Sequence, residues 1–112
     1  MLTLVTMAST VTPTTWMVEL EAGFTDPARP TPGVEALEPM VELLCRTEGV
    51  RSAAAVPRLG GMAIAMGLGA ADATTAMLLA RGLVRSCARY AGLGPLTIER
   101  VRVTPQPDLV EA

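Results

Sequence analysis

Apolar and polar positions alternate over residues 15–21, with Trp16, Val18 and Leu20 on one side and Thr15, Met17, Glu19 and Glu21 on the other. That two-residue period predicts a strand with one face in a core. Over residues 34–46 the period becomes helical: Leu37, Met40, Val41 and Leu44 share one side, and Glu35, Glu38 and Glu42 fall within a sector of about 60° on another. Two short apolar runs rich in small residues follow, at 52–56 and 61–67, joined through Leu59, Gly60 and Gly61 as a hairpin would be. A long helical run covers 73–91, and a last alternating run covers 96–104. The order strand, helix, strand, strand, helix, strand predicts an α+β, ferredoxin-like βαββαβ sandwich. Its four-stranded antiparallel sheet would have the order 4-1-3-2, with both helices on one face.

Local signals agree with this order. Pro27, Pro30 and Pro32 make 23–33 a loop. Pro39 implies that the first helix either begins near Glu38 or is kinked, because an internal proline costs about 3 kcal/mol. Pro57 suits an edge strand, the place that the second strand takes in this sheet order. Asp72 is placed to cap the second helix, and Gly92, Gly94 and Pro95 end it. The apolar stripe of that helix is read as Ala76, Leu79, Ala80, Leu83, Cys87 and Tyr90. The organisation expected is an N-terminal arm at 1–14, one domain at 15–104 and a tail at 105–112, with Met1, Met7 and Met17 all conceivable starts.

Composition narrows the chemistry. Half of the 112 residues are apolar but only 3% are aromatic, so Ala, Val, Leu and Met must build the core. The chain has no His, which removes the commonest general base and metal ligand. Cys45 and Cys87 alone cannot close a zinc site. No metal and no cofactor are expected, and Cys87, on the apolar arc of its helix, reads as a buried thiol. A net charge of −2 gives no general attraction to nucleic acid. The most hydrophobic stretch, 59–80, contains Asp72 and several glycines, and a mid-helix Asp costs about 2.5 to 3.5 kcal/mol on insertion, so no membrane segment is expected. A cytoplasmic location follows.

Three constellations are candidates for function. Gly67-Leu68-Gly69-Ala70-Ala71-Asp72 follows a strand and opens a helix, as a dinucleotide fingerprint does, but Asp stands where the third glycine belongs. A strand-to-helix turn with a cap is the simpler reading. The second constellation is a pair of charged helix rows: Glu35, Glu38 and Glu42 on the first helix, and Arg81, Arg85 and Arg89 on the second. They can pair within the molecule, across a dimer, or with separate partners, or stand as solvated faces. The third is the open face of the sheet, expected to carry Thr15, Met17, Glu19, Ala63, Ala65, Arg100 and Arg102. Its bare Ala/Gly strip would let another backbone approach closely, and Glu19 with Arg100 or Arg102 would fix the register.

Asp72 before an Ala/Leu-rich helix, with Leu83-Val84-Arg85, Ala91-Gly92-Leu93 and Val101-Arg102-Val103, resembles short proteins of unassigned function from GC-rich bacteria. The likeness covers residues 16–104. In some proteins of that type the module is followed by a helix-turn-helix, which would imply an accessory role beside a DNA-binding regulator. In topology the chain is also similar to small dimeric ferredoxin-like monooxygenases that act without a cofactor. The expectation is a non-catalytic module that binds itself through the sheet face and also binds a further protein, with Arg81, Arg85 and Arg89 at a second surface. The alternative is a small cofactor-independent enzyme or ligand-binding protein, with Tyr90, Trp16 or an Arg lining a cavity between helices and sheet.

Overall fold

A computed structural model describes residues 14–26, 28 and 30–106. The elements run β1 (Thr14–Phe24), α1 (Val34–Arg46), β2 (Val50–Arg58), β3 (Gly61–Ala70), α2 (Ala73–Tyr90) and β4 (Leu96–Pro105). The sheet order is β2-β3-β1-β4 with every neighbouring pair antiparallel, which is the expected order read from the other edge. The α+β arrangement is consistent with a ferredoxin-like sandwich. Residues 1–13 of the expected arm and 107–112 of the expected tail lie outside the described residues.

The strand period decides which side chains meet the helices. Val18, Leu20 and Ala22 of β1 and Met62, Ile64, Met66 and Leu68 of β3 are buried against Leu37, Met40 and Leu44 of α1 and Ala76, Ala80, Val84 and Ala88 of α2. Each large side chain removed from water contributes about 1.5–3 kcal/mol, so this one layer of contacts carries most of the fold. Ile98 and Val101 of β4 both pack on it although they are three residues apart. A register shift between Glu21 and Ala22, opposite Arg100 and Ile98, makes that possible by leaving Glu99 as the extra residue.

The β2–β3 hairpin turns through Leu59 and Gly60, and Gly60 takes the positive φ of 74° that the turn requires. Since Arg58 and Gly61 flank this two-residue turn, they form the hydrogen-bonded pair. Alternation then points the backbone of Pro57 away from β3, where the missing N–H breaks no ladder bond.

Helix α1 starts at Val34 and runs through Pro39, not from Glu38. The proline forfeits the bond to the carbonyl of Glu35, an exposed first-turn group that water can reach. Helix α2 is capped by Asp72 and ends in a Schellman motif. Gly92 N–H donates to the Arg89 carbonyl at 3.1 Å, Leu93 N–H donates to the Ala88 carbonyl at 2.9 Å, and Gly92 has φ 82°.

The buried side of α2 differs from the stripe read in the sequence. Val84 and Ala88 are fully buried, while Leu79 is 45% and Tyr90 86% exposed. The helix is turned so that Ala76, Ala80, Val84, Cys87 and Ala88 share the side facing the core, and at 3.6 residues per turn Leu79 and Tyr90 then fall outside that arc.

Candidate binding surface on the open sheet face

The face of the sheet away from the helices is built around a strand almost without side chains. The β3 residues that point there are Gly61, Ala63, Ala65, Gly67 and Gly69, opposite Gly23, Glu21, Glu19, Met17 and Thr15 of β1. On the other side they face Arg58, Val56, Ala54 and Ser52 of β2. The result is a trough of about 340 Å³ with Ala63 and Ala65 as its floor. Glu19, Glu21, Arg100 and Arg102 stand along one wall, and Ala54 and Val56 along the other. Val56 is 56% exposed, an apolar edge on an otherwise polar rim.

Beyond each end of the trough, side chains lie over the glycines of the sheet. At one end Ser52 Oγ and Gln106 Oε1 lie over Gly67, at 2.9 and 3.4 Å from where a Cβ would stand. At the other the Glu99 carboxylate covers Gly23, its Oε2 2.5 Å from a Cβ position. Gly61 has no such freedom, because a Cβ there would run into the backbone carbonyl of Ala22.

Charges on this face are arranged by register. Glu19 is opposite Arg102, and Glu21 is opposite Arg100. Glu19 takes its register partner, with Arg102 Nη1 3.6 Å from its Oε1. Glu21 instead takes Arg58, whose Nη1 reaches its Oε2 at 3.0 Å across β3. Arg100 is thereby left without an ion pair among the described residues, next to Glu99, which has none either. Of the residues expected here, Thr15, Met17, Glu19, Ala63, Ala65, Arg100 and Arg102 all lie on the open face. Sequence reasoning missed Arg58 and Glu99. The reach of Arg58 depends on the bareness of the strand between, which the Ala/Gly pattern already contained, whereas the bulge that exposes Glu99 leaves no mark in a two-residue period.

The helix rows are elsewhere. Glu35, Glu38, Glu42, Arg85 and Arg89 are exposed and Arg81 is half-buried, and Glu38 and Glu42 border a hollow between α1 and Ala53, Ala54 and Ala55 of β2. Among the described residues these rows form no ion pair with one another. A surface hollow beside α2 is lined by Arg85, Ser86, Arg89 and Tyr90. Trp16 donates its indole N–H to the Ala70 carbonyl at 3.0 Å and packs against the core. It and Tyr90 therefore do not meet in a chamber between helices and sheet.

Gly67 and Gly69 are ladder residues of β3, not a loop around a phosphate. Asp72 accepts the N–H of Thr75 at 2.8 Å, and that bond holds its carboxyl below the usual carboxylate range. Cys45 is exposed and Cys87 buried, both free thiols. Burial pushes the Cys87 thiol up. Among the described residues no group of three or more His, Cys, Asp or Glu is gathered to hold a metal ion. No helix among them is long and apolar enough to cross a membrane. No protein-family model and no curated protein matches the chain.

Proposed function

We propose that this protein is a non-catalytic assembly module that joins a second copy of itself through the open sheet face. The observation that carries the reading is Arg100, a cation without an ion pair among the described residues, beside Glu99, which has none among them either, on a face where Glu19, Glu21, Arg58 and Arg102 are paired with one another. A two-fold contact needs a patch complementary to itself. Glu19, Glu21 and Glu99 balance Arg58, Arg100 and Arg102, and Arg100 of one copy can meet Glu99 of the other. The Ala63 and Ala65 floor lets two faces come together without large side chains between them, and Val56 and Met17 supply apolar contact.

Arg100→Glu tests this. It leaves both internal ion pairs intact, so circular dichroism should be unchanged, while sedimentation velocity should show loss of the sheet-face contact and a smaller native mass. An unchanged mass over the same concentrations would overturn the reading.

A second reading is favoured by the trough volume, which lies in the range of small-molecule sites. In it Arg100 and Arg102 hold an anionic ligand. A wild-type protein that stays monomeric and binds such ligands with 1:1 stoichiometry would favour this alternative.

A further inference from the structure

β2 is an edge strand, and its free edge is not uniform. Because Arg58 and Gly61 form the hydrogen-bonded pair at the hairpin, alternation turns the backbone of Ala53, Ala55 and Pro57 away from β3. Pro57 has no N–H to offer there. At the other end a register shift between Val50 and Ser52 interrupts the strand. A proline and a bulge are two of the devices that keep edges from pairing. Between them, Ala53 and Ala55 turn two N–H donors and two carbonyl acceptors to a side that has no strand among the described residues.

This open stretch borders a hollow of about 500 Å³ between β2 and α1. Val34 and Val41 give it an apolar wall, Glu38 and Glu42 an acidic rim, and Ala53 and Ala55 a floor of small side chains. Val34 is 57% exposed. Glu38 and Glu42 are exposed and have no ion pair among the described residues. Free backbone groups, an uncovered aliphatic side chain and two carboxylates thus meet at one edge.

We propose that this edge takes up an extended, basic segment of another protein as a fifth strand. The main chain of the segment bonds Ala53 and Ala55, and its alternate side chains enter the hollow, as in other recognition by strand addition. Glu38 and Glu42 are four residues apart, about 6 Å along α1. That is close to the roughly 6.6–6.8 Å between residues i and i+2 of a strand. Arg or Lys at two alternate positions therefore meets both carboxylates, and an aliphatic residue on the same face covers Val34.

The charge of the rim decides against a second copy of this chain. Pairing β2 with β2 about a two-fold axis sets Glu38 and Glu42 of both copies along one seam, where like charges repel. The β2 residues on the helix side, Ala53, Ala55 and Pro57, bring nothing to neutralise them. The site is also independent of the sheet-face contact, because Arg100 lies on β4 at the opposite edge of the sheet.

Fluorescence anisotropy with a fluorescein-labelled peptide of alternating Val and Arg tests the proposal. The wild-type protein should bind it with 1:1 stoichiometry and should not bind the same peptide with Glu in place of Arg. Glu38→Gln combined with Glu42→Gln, both at exposed positions, should raise the dissociation constant about tenfold with circular dichroism unchanged. Two N-methylated forms of the peptide examine the main chain. Alternate residues of an added strand turn their N–H groups to opposite sides, so methylating one alternate set should abolish binding and methylating the other should leave it. Failure of the Val/Arg peptide to bind, an unchanged dissociation constant in the double variant, or equal effects of the two methylated forms overturns the proposal. If the peptide does not bind and Ala55→Pro lowers the native mass of the protein alone, the edge joins copies of this chain instead.

Discussion

Glu21 and Arg58 form an ion pair at 3.0 Å although their strands are not neighbours. β3 runs between them and presents only Ala63 and Gly61 at that level. Two strand spacings are roughly 9.5 Å, a distance that the two long side chains bridge because nothing rises from the strand below. The bare strand thus does two things at once: it makes the trough, and it allows charges on opposite sides of the trough to join over its end.

The pair is half-exposed, with side-chain exposures of 50% for Arg58 and 34% for Glu21. A double-mutant cycle with Glu21→Gln and Arg58→Met should therefore give a coupling of about 0.5 kcal/mol that fades in high salt. Ala63→Leu should abolish that coupling by standing in the path.

Two glycines should respond oppositely to alanine. Gly61→Ala drives a methyl group into the Ala22 carbonyl, a backbone atom that cannot step aside, and should cost about 1–3 kcal/mol in urea denaturation. Gly82→Ala enters open space in the middle of a helix and should stabilise the folded chain by about 0.4–1 kcal/mol.

Asp72 links stability to pH. Its folded pKa lies below the ordinary value of 3.8 because it accepts the Thr75 N–H. Its contribution is therefore fully present above that value and lost as pH falls through the folded one. Asp72→Asn keeps an acceptor at the cap but cannot titrate. Melting temperatures of the two proteins should differ most near neutral pH and converge as acid protonates Asp72.

The element order, the sheet order and the inward faces of β1 and β3 were legible because each rests on a two-residue period with large side chains on one side: Val18 and Leu20, or Met62, Ile64 and Met66. The inward face of α2 was harder to read. Hydrophobicity favours Leu79 and Tyr90 over Ala88, but the helix is turned so that Ala88 shares the buried arc with Ala76, Ala80 and Val84 while Leu79 and Tyr90 fall outside it. At the candidate site, parity alone placed Glu19, Arg100 and Arg102. Glu99 escaped because a bulge changes the phase of β4, and the partner of Glu21 escaped because it comes from two strands away rather than from the register neighbour Arg100.

The sheet order has a consequence for synthesis. β1 is flanked by β3 on one side and β4 on the other, so the first strand made borders the last of the four. Until residues 96–105 have emerged from the ribosome, the nascent chain holds β1 with one row of backbone amides and carbonyls unsatisfied. Such distant pairings slow folding. An open strand edge of this kind is also what a chaperone, or a neighbouring nascent chain, would meet first.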